Sequence, residues 1–288
     1  MLSAVVFALL IANQSKFTTD PAKVELHFED VERFYKVLDL GGESDLGEKL
    51  KAGYLNVGSK GLAFFRLTKF KSDDMFIAYV KKNQAQLQKD REKIFRIKDT
   101  ENRIRAAFFA FKFLYPDAVY PPLYFVIGRE SSGGTSFPGG LVMGAEMSVN
   151  DPAVVHYIVA HELIHFNQKV GSGNLRNATL AEGMADFLGE LASGGCINSP
   201  LHKYGKAHEA EIWKQWKQDV ANGNKIKDWI GTYSQTEPRP GDLGYFVGYK
   251  ICEGYIDRAE DKLAAIRELL TRTDAEKVVE ESGYDPQK

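Results

Sequence analysis

One segment, DPAVVHYIVAHELIHFNQK at residues 151–169, limits what this chain can fold into more than any other. Asp151 suits a helix N-cap and Pro152 the first helical position, where a missing N–H costs nothing. Val154, Ile158, Val159, Leu163, Ile164 and Phe166 make the helix apolar enough to be buried. The same helix carries His161, Glu162 and His165. Two imidazoles and a carboxylate in an apolar helix are costly without partners, which disfavours the alternative of a surface helix with ordinary histidines. Four residues apart, His161 and His165 share one helical face and can reach a single metal ion. Glu162, one residue round, stands beside that ion without ligating it, where a general base for bound water is needed. The expected cofactor is one Zn2+ per chain.

A catalytic zinc takes three protein ligands and leaves a position for water. In TLAEGMADFLGEL, Glu182 and Asp186 lie four apart between Leu180, Met184, Ala185, Phe187 and Leu188. Glu182 is the expected third ligand. Asp186 is expected to accept a hydrogen bond from a ligand imidazole and fix its tautomer. An alternative stays open, because Thr179 followed by Glu182 also fits a capping box.

Around these helices the chain reads as α+β and mostly α. Helical spacing runs from about Phe28 to Leu38, ended by Gly41-Gly42, then over 46–65, 73–97 and 100–114. LYFVI at 123–127 and LVMGAEM at 141–147 read as strands, joined by a glycine-rich connection from Gly128 to Gly140. Further helices are expected over 152–169, 180–191, 208–220 and 242–270. The expected organisation is an apolar N-terminal segment (1–20), a helical lobe (21–115) and a catalytic core (116–288) with a small antiparallel or mixed sheet. Strand 141–147 is expected to offer its edge to an extended peptide, and Glu146 on it to be a salt-bridge partner.

With 37 Lys and Arg against 39 Asp and Glu, the chain lacks the basic excess of a nucleic-acid footprint. Residues 2–12 are apolar apart from Ser3 and too short for a bilayer span, so no integral membrane span is expected. They suit the hydrophobic region of a secretory signal whose basic start lies upstream; export to the periplasm or medium follows in that case, and a cytoplasmic location otherwise. Cys196 and Cys252 either pair after export or stay separate buried thiols. His27, His156 and His202 show no partner pattern and read as ordinary.

An HExxH helix followed by a helix bearing ExxxD resembles the gluzincins, the thermolysin-like zinc peptidases. HELIHFNQ, LAEGMADFLGEL and GYFVGYKICEGY together are similar to uncharacterised bacterial proteins known as predicted Zn-dependent proteases, over roughly residues 141–270, with a looser match around GSKGLAFF. The resemblance implies a zincin-like metallopeptidase core and a peptide or protein substrate. It carries His161, His165 and Glu182 as zinc ligands, Glu162 as base and Asp186 behind a ligand. Glu182 follows His165 sooner than in thermolysin-like enzymes, so the loop 170–178 must be compact. Related enzymes use a Tyr or His to stabilise the oxyanion. Tyr245 and Tyr249 are the candidates here and His208 the next, against a packing role beside Gly244 and Gly248. The competing class is a non-catalytic, zinc-stabilised helical protein that binds a partner in its groove.

Overall fold

Capping chemistry sets most of the helix ends. The structure is a computed structural model that describes residues 17–42, 44–223, 225–232 and 239–287. Residues 2–12, read above as a signal, lie outside the described residues. Helix α1 spans Glu29–Asp39, as its apolar spacing predicts. The single helix expected over 46–65 is instead α2 (Leu46–Leu50), a π turn (Lys51–Leu55) and α3 (Lys60–Lys69). Ser59 makes the break, its side chain accepting from Leu62 N. Ser72 caps α4 (Asp73–Phe95) in the same way, and α5 (Glu101–Leu114) follows a short 3-10 turn.

Four strands form one mixed sheet: β1 (Leu26–His27), β2 (Leu123–Val126), β3 (Gly134–Phe137) and β4 (Gly140–Gly144), in the order β1-β2-β4-β3. β1 runs parallel to β2 with Leu26 opposite Leu123, β2 parallel to β4 with Leu123 opposite Leu141, and β3 antiparallel to β4 with Gly134 opposite Met143. This corrects the strand expectation. β4 is an interior strand, buried along its whole length, and a 3-10 turn from Ala145 to Ser148 ends it early. The edge belongs to β3, inside the stretch read as a connection. Gly140 turns the chain between β3 and β4, where a Cβ would lie 2.5 Å from the Pro122 carbonyl oxygen.

The helix that carries His161, Glu162 and His165, α6, spans Val155–Asn167 after a 3-10 turn that Asp151 caps through Ala153 N. Helix α7 covers Leu175–Ser193, longer than expected: Asn174 caps it and Gly194, at φ 81°, ends it. α8 (Ser199–Ala207) was not expected, and α9 covers Glu209–Ala221. The stretch 242–270 divides into α10 (Leu243–Arg258) and α11 (Lys262–Thr271), because Asp261 starts a new helix by capping Ala264 N; α12 (Ala275–Ser282) closes the described chain.

One hydrophobic core runs through residues 21–115 and 116–288 alike. Tyr54 fastens the π turn to the end of β2, donating to Ile127 O (2.7 Å) and accepting from Ile127 N (2.8 Å). α6 packs on β3 and β4, α7 on α6 and α10 on α7, with the backbones of α7 and α10 in contact at Gly183 and Gly248. A Cβ on Gly183 would fall 2.0 Å from the Gly248 carbonyl carbon. The chain is therefore mostly helical with a small mixed sheet, and among the described residues no helix is long and apolar enough to cross a membrane.

Candidate metal centre

α6 and α7 approach closely because Gly189 faces His161, where a Cβ would lie 3.2 Å from the His161 nitrogen. That crossing brings together three side chains that the sequence proposed as ligands. His161 Nε2 and His165 Nε2 are 3.0 Å apart, His165 Nε2 is 3.1 Å from Glu182 Oε2, and His161 Nε2 is 3.4 Å from the same oxygen. Ligands about 2.0–2.2 Å from a tetrahedral zinc stand roughly 3.4 Å from one another. The triangle thus has nearly the size that one ion requires. Thr179 lies inside α7, its hydroxyl accepting from Trp216 Nε1, so Glu182 does not serve a capping box.

Asp186 Oδ1 accepts from His161 Nδ1 (2.8 Å), so Nε2 is the nitrogen of that ring that faces the triangle. Burial disfavours a charged His161. The hydrogen bonds and charges of Asp186 and Glu182 outweigh it and hold the imidazole pKa well above its ordinary value. Glu182 is pulled far below the carboxylate range by the two imidazoles, against the effect of its own burial. The pocket therefore favours positive charge at the point where the three donor atoms meet.

Glu162 is buried and its carboxylate makes no hydrogen bond to a described residue. It packs under β3, where a Cβ on Gly134 would lie 3.0 Å from Glu162 Cγ, so the glycine lets the edge strand pass against the proposed base. The Tyr245 ring stacks on His161 at 6.0 Å between centroids. Burial, then the charges of Glu182, Asp242 and Asp186, push its phenol pKa well up, so it remains a proton donor. Tyr249 points elsewhere, its ring against Phe187 (5.1 Å) and His202 (4.7 Å). His208 is exposed, its ring on Tyr204 and its Nδ1 3.0 Å from the Tyr204 carbonyl oxygen.

Three residues at the site escaped sequence reasoning. His202 Nε2 donates to Asp186 Oδ2 (2.8 Å), and Asn198 Nδ2 lies 2.9 and 3.0 Å from the two Asp186 oxygens. Asn198, just before α8, and His202, in its first turn, lie four residues apart, the one sequence signal that could have linked them to a shared target. Gln168 contacts His165. Cys196 sits with Asp186 and His202, Cys252 is buried in α10, and both are free thiols, so the pairing alternative is not realised. Among the described residues Glu146 forms no salt bridge. It is buried and accepts from the backbone nitrogens of Gly128 (2.8 Å) and Glu130 (3.1 Å).

The family profile that matches this chain is described as gliding motility protein GldB, and it covers residues 203–286. This corrects the resemblance to gluzincins and predicted Zn-dependent proteases: the family similarity is to a gliding motility protein, and the labels protease and metalloprotease do not come to the chain from a family match. The matched stretch takes in Tyr245 and Tyr249 but none of His161, Glu162, His165, Glu182 or Asp186. No curated protein and no solved structure matches the chain.

Proposed function

We propose that this chain binds one zinc through His161, His165 and Glu182 and hydrolyses peptide bonds with a metal-activated water. The convergence of two Nε2 atoms and one carboxylate oxygen at 3.0–3.4 Å, with a Glu162 alongside that has no hydrogen-bond partner among the described residues, carries the reading. Held by His161, His165 and Glu182, a zinc ion would supply an acidified water and a polarised scissile carbonyl. Glu162 takes the proton from the attacking water on its carboxylate and returns it to the leaving amine. Tyr245 donates its phenolic proton in a hydrogen bond to the oxygen that gains charge. Asp186 keeps His161 oriented by holding its Nδ1–H. An extended peptide pairs with the β3 edge, which runs past Glu162 at Gly134.

A purely structural zinc is closed by a fourth protein ligand. Among the described residues the cluster offers three, His161, His165 and Glu182, which favours catalysis over the partner-binding alternative. Similarity to a gliding-motility lipoprotein family supports an exported location. The test combines zinc content with digestion of an unfolded protein. Glu162→Gln is expected to keep zinc and lose hydrolysis, and Glu182→Ala to lose zinc. Full hydrolysis by Glu162→Gln removes the proposed base, and undiminished zinc in Glu182→Ala removes the third ligand.

A further inference from the structure

Gln168 ends α6. Its backbone N–H donates to Ile164 O (2.8 Å), while its own φ and ψ leave the helix. The side chain is 4% exposed and folds back on the ligand one turn earlier, with Nε2 2.9 Å from His165 Nδ1. Its Oε1 is also buried and has no hydrogen-bond partner among the described residues. An orphaned carbonyl oxygen in a closed site is costly, so this one requires a reason.

The tautomer of His165 supplies it. An amide N–H donating to Nδ1 requires the His165 proton on Nε2, facing Glu182 Oε2 at 3.1 Å. An ion bound at Nε2 needs that lone pair, so the proton must move to Nδ1, which then becomes a donor. Two donors now face each other unless the amide turns over. Oxygen and nitrogen of an amide are nearly the same shape, so a half-turn of the group brings Oε1 to Nδ1–H. The oxygen gives up no hydrogen bond by turning, because among the described residues it has no donor where it stands. Asp186 behaves differently on the partner ring: a carboxylate only accepts, and it holds His161 in the Nδ1–H form throughout.

We propose that Gln168 is the positioning residue for His165, accepting from Nδ1–H through Oε1 when a metal occupies Nε2. The two histidines then have unlike supports, a fixed carboxylate behind His161 and a reversible amide behind His165. This inference rests on the metal reading of the site.

The experiment uses the full chain with zinc affinity measured by chelator competition, beside the nitrogen spectrum of histidine-labelled wild type. Gln168→Met keeps the length of the side chain and removes the acceptor. It is expected to bind zinc about 10- to 100-fold more weakly, the usual effect of losing a partner of a ligand histidine. Gln168→Glu restores an acceptor and is expected to recover most of that loss. In wild type, zinc is expected to coordinate His165 at Nε2 and leave a hydrogen-bonded proton on Nδ1. Wild-type zinc affinity in Gln168→Met, or coordination of His165 through Nδ1, overturns the proposal. The spectrum decides even where the variant fails to fold. Absence of zinc binding by wild type, or binding that survives His161→Ala, instead removes the metal reading beneath it.

Discussion

The contact between Gly183 and Gly248 gives the sharpest test of how the fold holds the site. Glu182 and Asp186 ride on α7 and Tyr245 on α10, and the two helices touch backbone to backbone between them. In Gly183→Ala the new Cβ meets the Gly248 carbonyl carbon at 2.0 Å, its Cα at 2.2 Å and the Tyr249 nitrogen at 2.2 Å. Non-bonded carbons rest about 3.5–4.0 Å apart, so the helices must separate by roughly 1.5 Å. All three neighbours are backbone atoms, and no rotamer change relieves them. Overpacking of this kind costs about 1–3 kcal/mol, and rigid neighbours put this case at the upper end. In a chain of this size the melting temperature is expected to fall by roughly 3–5 °C. The proposed metal ligands all lie on α6 and α7, so zinc is expected to stay bound. Tyr245 moves relative to Glu182, and a displacement of about 1 Å from the reacting geometry lowers turnover on the order of 10²-fold. Thermal denaturation, zinc content and kcat on one preparation check the three parts. A Gly183→Ala protein with wild-type stability and turnover refutes the close crossing and the placement of Tyr245 that depends on it.

Tyr245→Phe is expected to lower kcat on the order of 10²–10³-fold with zinc content and KM nearly unchanged, as for the loss of one oxyanion donor. Tyr249→Phe should leave kcat near wild type; the reverse pattern in steady-state kinetics transfers the role to Tyr249. For Glu146, burial raises the carboxyl pKa from 4.5 to about 7, so the folded chain keeps a proton that the unfolded chain releases. Stability then falls as pH rises from about 4.5 to about 7 and stays lower above, by about 3 kcal/mol in all. Urea unfolding across that range should show the decline in wild type and a flatter profile in Glu146→Gln; equal slopes exclude Glu146 as its source.

The site was largely legible because its chemistry is written within single helices. Asp151 and Pro152 announce the start of α6, and the four-residue steps from His161 to His165 and from Glu182 to Asp186 survive folding unchanged. What escaped depends on contacts between elements. β3 lies in the run GGTSFPGG, whose glycines hide the alternation of a strand, and it exists through its pairing with β4. β1 is two residues long and is likewise defined by its neighbour. Asn198 and His202 acquire meaning from Asp186, which only the approach of α8 to α7 reveals. Both helix breaks, by contrast, were written in the chain: Ser59 and Asp261 are ordinary N-caps inside stretches whose apolar spacing runs on without interruption.

The pairing of β1 with β2 bears on the order of assembly. Leu26 finds Leu123 only after the first five helices have been looped out, and closing so long a segment is entropically slow. The three donor atoms proposed for the metal, with Asp186, all come from the neighbouring helices α6 and α7, whose contacts are close in sequence. A helical hairpin of that kind gathers much sooner than the sheet can close. Metal captured at that moment adds its binding free energy to a chain whose sheet is still open. Zinc would then act during biosynthesis as a folding nucleus, well before it has a substrate to act upon.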